Sequence, residues 1–136
     1  MTTVAERLVS AAMEYLGTPF VHQGRLPGAA MDCVAVPLLA ARAAGVDVPD
    51  FVVYGPRPNA QHLLRELAER CAPVDASQLE AGDILLFRIK GQPAHFGVFD
   101  GSCMIHADER RGAVVRCPVG LQWQKRLHSV WRVRNG

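Results

Sequence analysis

The sequence predicts an α+β fold, with helices in the first half of the chain and an antiparallel sheet in the second. Two observations support this prediction. Apolar residues recur at helical spacing as far as Cys71, whereas from Gly82 onward the apolar runs are short and separated by turn signals. No repeat or long linker interrupts the chain, so we expect residues 1–136 to form a single domain.

The first predicted helix starts at a capping box and is followed by an irregular loop. Thr3 and Glu6 match the pattern S/T-x-x-E, and apolar residues follow at helical spacing as far as Leu16. Gly17 is expected to end this helix. Three glycines and two prolines in residues 17–31 then predict a loop without regular structure.

The second predicted helix is almost wholly apolar and runs from Cys33 to Ala44. Asp32 is a favourable N-cap, and Gly45 is a favourable residue after the last turn. Pro37 lacks an N–H group and is therefore expected to bend the first turn, since it removes the hydrogen bond to the Cys33 carbonyl.

The remaining elements are one more helix and a series of strands. Asn59 is expected to cap a third helix whose apolar face consists of Leu63, Leu64, Leu67, Ala68 and Cys71. Strands and a hairpin are predicted at Ile84–Phe87, 95–106, Ala113–Cys117 and Ser129–Arg134.

Two histidines flank a tight-turn signal in the predicted sheet. Asp100-Gly101 between apolar segments favours a hairpin with a two-residue loop, because both turn positions must tolerate a positive φ. That register places His95 directly opposite His106, and opposed side chains share one face of a sheet. We expect both imidazoles to lie on the face toward Cys33, where one can act as a base and the other can orient it.

Cys33 is the candidate nucleophile, because the dipole of a helix favours the thiolate of a cysteine in its first turn. A neighbouring imidazole is expected to lower the pKa of this thiol further by forming an ion pair. The structural alternative is that Cys33 is a small core residue, as cysteines in apolar helices commonly are. The remaining cysteines and histidines named here are interpreted as structural or solvated: Cys71, Cys103, Cys117, His62 and His128.

Composition and charge argue against several classes of protein. With 49% hydrophobic and 21% charged residues the chain is typical of a globular domain, and its net charge of +2 does not indicate nucleic-acid binding. No apolar run is long enough to cross a membrane, and the N-terminus lacks the features of a signal peptide. The four cysteines form no close pair, so no zinc site is predicted.

A set of short motifs in a fixed order carries a family resemblance. In chain order they are Gly17-Thr18-Pro19-Phe20, Asp32-Cys33, Ala81-Gly82-Asp83, His95-Phe96-Gly97-Val98-Phe99 and Ile105-His106-Ala107. Together they resemble the NlpC family of papain-like cell-wall cysteine peptidases, and the resemblance covers nearly the whole chain. It implies a papain-like fold with the nucleophile helix packed on the sheet. It also implies hydrolysis of γ-D-glutamyl–diaminopimelate bonds in peptidoglycan stem peptides, with neither a metal nor a cofactor.

The resemblance also implies roles for individual residues. Cys33 resembles the nucleophile, His95 the base and His106 the polar residue that orients the base. Residues expected beside the substrate are Asp32, Phe20 and His22. The chain departs from the family pattern at two positions, since Val34 replaces a usual serine that helps to hold the substrate and Phe20 replaces a usual tyrosine. His22 or Tyr54 is a candidate to compensate for the missing hydroxyl group.

The loop Val21-His22-Gln23-Gly24-Arg25, with Pro27-Gly28 after it, resembles the branch of this family found in phage tail operons. We therefore expect a protein made in the cytoplasm without a signal peptide and carried to the cell wall in a tail or phage-like particle, with tail-tip proteins as partners. Two alternatives stay open. One is a tail-tip assembly or structural protein that retains the fold, and the other is a thiol amidase or acyltransferase that acts on another amide.

Overall fold

Two helices, α1 (Val4–Glu14) and α2 (Ala35–Ala43), pack together on one face of an antiparallel sheet in the computed structural model. The structure describes residues 2–50 and 60–134. Within these ranges the sheet has six strands, β3 (Cys71–Val74), β4 (Ile84–Ile89), β5 (Gln92–Phe99), β6 (Cys103–Asp108), β7 (Ala113–Pro118) and β8 (Leu127–Val133), in the order β3-β8-β4-β5-β6-β7. The predicted α+β class is thus confirmed.

Smaller elements connect these layers. They are the paired strands β1 (Arg25–Leu26) and β2 (Ala30–Met31), helix α3 (Ala60–Arg70), a 3₁₀ turn (Ala76–Gln78) and helix α4 (Leu121–Arg126). The predicted cap Asn59 lies outside the described residues. None of the helices in the two described ranges is long and apolar enough to span a membrane.

Helix α1 begins as its sequence predicts. The Thr3 hydroxyl accepts a hydrogen bond from the Glu6 N–H at 3.0 Å, and the Glu6 carboxylate accepts one from the Thr3 N–H at 3.2 Å. The helix ends at Glu14, three residues before Gly17, which has a φ of +87°. Tyr15 donates its N–H back to the Ala12 carbonyl at 3.1 Å, so the last turn tightens before the glycine.

Helix α2 begins two residues later than predicted, at Ala35. Pro37 explains the difference, because it has no N–H to bond to the Cys33 carbonyl. The first helical hydrogen bond instead runs from the Leu38 N–H to the Val34 carbonyl, at 3.1 Å. Cys33 therefore lies in the turn that precedes the helix, which moves its thiol out of the first helical turn.

The structure also contains elements that the sequence patterns did not predict. Cys71 was expected on the face of the third helix, but it begins strand β3. This strand lies at the edge of the sheet, which is where Pro73 can be accommodated without the loss of a ladder hydrogen bond. Helix α4 was missed because a segment of six residues is too short for a helical period to be recognised.

The turn between β5 and β6 differs from the prediction by one position. The Asp100 carboxylate accepts hydrogen bonds from the N–H groups of Ser102 and Cys103, at 2.9 and 2.8 Å, and also pairs with Arg116. Asp100 therefore precedes the turn and stabilises it, and Gly101, with a φ of +111°, is the residue with a left-handed backbone.

This change shifts the register of the hairpin by two residues. Val98 pairs with Ile105 instead of Cys103, so the prediction that His95 and His106 are directly opposed is wrong. Because side chains alternate between the faces of a strand, a shift of two residues leaves every side chain on its original face. The two histidines consequently still share a face, as predicted, although they lie on a diagonal.

The two faces of the sheet have different partners. The face that carries Ile105 and Phe96 packs on α1 and α2, whereas the opposite face carries Met104 and Phe87 and packs on Trp123 of α4. Alternation along β5 and β6 places both histidines on the α4 face. The expectation that they lie on the face toward Cys33 is therefore wrong, because Cys33 packs with Phe96 and Leu38 on the α2 face.

Candidate active site

Strands β5 and β6 separate after two residue pairs, so that residues from both faces of the sheet can line one cleft. The β5–β6 ladder has only two residue pairs, Val98 with Ile105 and Phe99 with Met104, after which the strands diverge. The gap opens into a cleft of about 1020 Å³. Its lining comprises Phe20, His22, Asp32, Cys33, Ile89, Ala94, His95, Ala107, Asp108, Glu109, Arg110, Arg111, Gln122, Trp123 and Arg126. Five of the six residues that the sequence predicted for the site line this cleft, and the sixth, His106, is buried.

Cys33 reaches the cleft from the helical side of the sheet. Its thiol donates a hydrogen bond to the Ala94 carbonyl at 3.6 Å. Ala94 belongs to the part of β5 that β6 no longer covers. The thiol is thus held beside β5 at the point where the strands separate.

The two histidines form a directly hydrogen-bonded pair. Nε2 of His95 lies 2.9 Å from Nδ1 of His106, and the ring centroids are 5.1 Å apart at nearly a right angle. His106 is 1% exposed, so its ring cannot rotate freely, whereas His95 is only partly buried and lines the cleft. Nδ1 of His95 makes no hydrogen bond within residues 2–50 and 60–134 and is therefore the nitrogen available to a substrate or a thiol.

Trp123 encloses this pair and was not predicted from the sequence. Its ring stacks on His95 with centroids 5.2 Å apart and an interplanar angle of 22°, and it meets His106 edge-on at 5.2 Å. The Arg126 guanidinium lies 5.5 Å from the centre of the Trp123 ring on the cleft rim. A tryptophan between charged and polar residues carries no pattern that points to a site, so only the folded structure reveals this contact.

Cys117 also contacts the pair, although the sequence analysis interpreted it as structural. Its sulfur lies 3.4 Å from Nε2 of His106. Both ring nitrogens of His106 are therefore engaged, Nδ1 by His95 and Nε2 by Cys117. The contact follows from the register, because His106 pairs with Val115, which leaves Cys117 on the same face two residues further along β7.

Burial favours the neutral forms of Cys33, His95 and His106, contrary to the expectation of an ion pair. Burial raises the pKa of the Cys33 thiol to about 12, and the neighbouring Asp32 carboxylate acts in the same direction. Burial and the adjacent His106 lower the pKa of His95 to about 3, and burial also lowers the pKa of His106. The helix dipole does not reverse these effects, since Cys33 lies outside the first turn of α2.

Asp32 holds the backbone around Cys33 in place. Its Oδ1 accepts hydrogen bonds from the N–H groups of Val34 and Ala35, both at 3.0 Å, and from Arg25 at 2.8 Å. Its Oδ2 accepts one from the Gln23 N–H at 2.9 Å. Because both oxygens are engaged by the protein, Asp32 acts first as a support for the turn that carries Cys33, and direct contact with a substrate stays a prediction.

The other predicted substrate contacts lie on the cleft wall formed by the loop before β1. Phe20 is partly buried and donates its N–H to the Gly112 carbonyl at 2.8 Å, while His22 is exposed. Tyr54 falls outside the described residues. His128 was interpreted as solvated, but it is partly buried and its Nδ1 lies 2.8 Å from the Ser129 hydroxyl.

This arrangement suits nucleophilic chemistry on a carbonyl group. A thiol and an imidazole with a free nitrogen line one cleft, and a second imidazole orients the first. The described parts of the chain bring together no group of three or more His, Cys, Asp or Glu residues that could hold a metal ion.

Comparison with known proteins places these residues in a family. A model of the NlpC/P60 family matches residues 17–132. The probable endopeptidase Rv2190c of Mycobacterium tuberculosis is 28% identical over 109 residues, which are 80% of this chain and 24% of that protein. The chain thus spans about a quarter of the length of this curated relative.

Solved structures share the fold at low sequence identity. The peptidoglycan hydrolase RipB of M. tuberculosis matches 96% of this chain and 64% of its own, with a TM-score of 0.71 and 17% identity. RipD of the same organism, described as a non-catalytic NlpC/p60 domain protein adapted to peptidoglycan binding, matches 100% of both chains with a TM-score of 0.67 and 15% identity. The fold is that of papain-like NlpC/P60 domains, and the family match from residue 17 to residue 132 shows that this chain belongs to the NlpC/P60 family.

Proposed function

We propose that this protein is a cysteine peptidase that hydrolyses peptide bonds in peptidoglycan stem peptides, of the γ-D-glutamyl–diaminopimelate type. The observation that carries the proposal is that Cys33 and His95 line one cleft, with His95 hydrogen-bonded to the buried His106. Membership of the NlpC/P60 family and the similarity to a probable endopeptidase support the same class of reaction.

In the proposed reaction Cys33 attacks the carbonyl carbon while its proton passes to Nδ1 of His95. A neutral thiol and a neutral imidazole are the starting forms, so charge develops only as the new sulfur–carbon bond forms. His95 then gives the proton to the departing amine, and the carbon–nitrogen bond breaks. Water, with His95 as base, hydrolyses the thioester and restores the thiol.

The Cys33 N–H is the proposed donor to the oxyanion. The N–H groups of Val34 and Ala35 already bond to Asp32, at 3.0 Å each, and are not available. Within the described residues, the Cys33 N–H donates no hydrogen bond to another residue. A single oriented backbone donor of this kind contributes roughly 10²–10³-fold to kcat in enzymes with comparable chemistry.

The cleft offers guanidinium groups to a substrate that carries free carboxylates. Arg110, Arg111 and Arg126 line the cleft and are exposed to solvent, and the acidic lining residues are Asp32, Asp108 and Glu109. A γ-linked glutamyl residue retains its α-carboxylate next to the bond to be cut. Guanidinium groups on the rim can bind that carboxylate with paired hydrogen bonds.

Digestion of purified peptidoglycan tests the proposal. The protein, Cys33→Ala and the control Cys103→Ala are incubated with the polymer, and the released products are identified by mass spectrometry. Cys103 is a suitable control because it lies on the same hairpin but on the face opposite the histidines. We expect stem-peptide fragments from the protein and from the control, and none from Cys33→Ala. Equal products from all three variants would contradict the proposal.

A binding role without turnover is the second candidate, and the similarity of the fold to that of RipD, which is described as non-catalytic and adapted to peptidoglycan binding, is the observation that favours it. Sedimentation with insoluble peptidoglycan distinguishes the two, since a binding protein remains on the polymer without releasing fragments. A thiol amidase or acyltransferase acting on another amide would instead give products with a different bond broken.

The predicted delivery in a phage tail rests on the resemblance of residues 21–28 and stays a proposal. Deleting the gene that encodes this chain from a phage genome distinguishes a tail enzyme from an assembly protein. An enzyme gives normal particles with poor entry, whereas an assembly protein gives no normal particles.

A further inference from the structure

A row of three side chains runs from the cleft into the sheet and ends at Cys117. Nε2 of His95 lies 2.9 Å from Nδ1 of His106, and Nε2 of His106 lies 3.4 Å from the Cys117 sulfur. His106 is buried, so a ring nitrogen without a partner would be costly there. Cys117 is the partner of Nε2 among the residues that the structure describes.

The hydrogen atoms of this row can be arranged in two ways, because each neutral imidazole has a single N–H, which lies on either Nδ1 or Nε2. In the first arrangement His106 donates its Nε2–H to the Cys117 sulfur and accepts at Nδ1 from the Nε2–H of His95. Nδ1 of His95 then presents a lone pair to the cleft. In the second arrangement Cys117 donates its S–H, every donor reverses, and Nδ1 of His95 carries the hydrogen.

The first arrangement leaves fewer donors without acceptors. In the second, the Nδ1–H of His95 would point into the cleft, and none of the described residues accepts a hydrogen bond from it. A partly buried N–H without an acceptor is rarer in proteins than a free lone pair. The contacts of His95 therefore favour Cys117 as the acceptor.

We propose that Cys117 is a positioning residue whose sulfur accepts the Nε2–H of His106 and thereby keeps Nδ1 of His95 unprotonated. The inference rests on the proposed function, because only that tautomer allows His95 to accept a proton from Cys33. Cys117 itself does not line the cleft, and it acts through its contact with His106.

The tautomers are measured directly by ¹⁵N NMR of the full chain labelled at histidine nitrogen. At neutral pH we expect the His95 signals to show a protonated Nε2 and an unprotonated Nδ1. Cys117→Ala removes the acceptor and is expected to shift the His95 signals toward a mixture of tautomers. Cys117→Ser supplies a hydroxyl oxygen and should restore the original pattern, and Cys103→Ala is the control that should not change it.

Kinetics on a stem-peptide substrate give the second readout. We expect Cys117→Ala to lower kcat about threefold to tenfold with KM unchanged, the range of one neutral hydrogen bond, and Cys117→Ser to recover most of the loss. A protonated Nδ1 of His95 in the unmodified protein, or the same tautomer in Cys117→Ala, would overturn the proposal. If no variant hydrolyses peptidoglycan but the tautomer shifts as expected, the positioning role is supported and only the hydrolytic function is refuted.

Discussion

The buried, neutral state of His95 predicts a measurable loss of stability in acid. Burial and His106 hold the pKa of His95 near 3, whereas an unfolded histidine titrates near 6.5. A lowered pKa stabilises the fold above pH 6.5, and this contribution is lost as the pH falls toward 3. Below pH 6.5 each pH unit therefore costs about 1.4 kcal/mol for this one proton. Between pH 6.5 and pH 5 the loss amounts to about 2 kcal/mol.

Urea unfolding at pH 7 and pH 5 tests this magnitude in the protein and in His95→Gln. Glutamine has no proton to gain in this range, so the free energy of unfolding of His95→Gln should fall by about 2 kcal/mol less than that of the unmodified protein. The comparison cancels the contributions of the carboxylates, which both proteins share. His22→Gln, on the exposed side of the same cleft, is the matched control. Equal losses in the protein and in His95→Gln would refute the buried neutral imidazole.

Three further results are expected. Asp32→Ala should lower the free energy of unfolding by about 3 kcal/mol, because it removes the acceptor of the Val34 and Ala35 N–H groups and one of the carboxylates paired with Arg25. Asp75→Ala, at an exposed cap, should cost less. Gly82→Ala should cost about 2–4 kcal/mol in the same assay, since φ is +95° and the new Cβ would lie 2.7 Å from that of Ala5; Gly112→Ala, with φ +75° and open space, should cost about 1 kcal/mol. Peptide mapping after iodoacetamide should show Cys33 alkylation rising about tenfold per pH unit from pH 7 to 10, and a plateau below pH 9 would contradict its raised pKa.

Local patterns predicted the features that depend on neighbouring residues. The capping box at Thr3 and Glu6 gives the start of α1, because all of its partners lie within one turn. The shared face of His95 and His106 was also predictable despite the wrong register, since a two-residue shift preserves the alternation of side chains. The predicted position of the turn was wrong. The Asp100 carboxylate accepts hydrogen bonds from the N–H groups of Ser102 and Cys103, and Asp100 therefore precedes the turn.

Features that depend on distant contacts were not predictable. The divergence of β5 and β6 sets where Cys33 meets the histidines, and no local pattern encodes the place where a ladder ends. Trp123 reaches His95 from an element 28 residues further along the chain, and Cys117 reaches His106 across a strand pair. The charge state of the site follows from burial, which sequence spacing does not report. The predicted ion pair was wrong for that reason.

The central claim is that Cys33 and His95 act as one catalytic unit, and a double-mutant cycle tests it most directly. The measurement is kcat for stem-peptide hydrolysis by Cys33→Ala, His95→Ala and the double variant. When two groups act in the same step, removing either one abolishes the contribution of both to kcat. We therefore predict that the double variant is no slower than the slower single variant. Losses that multiply in the double variant, or wild-type turnover in Cys33→Ala, would contradict the account.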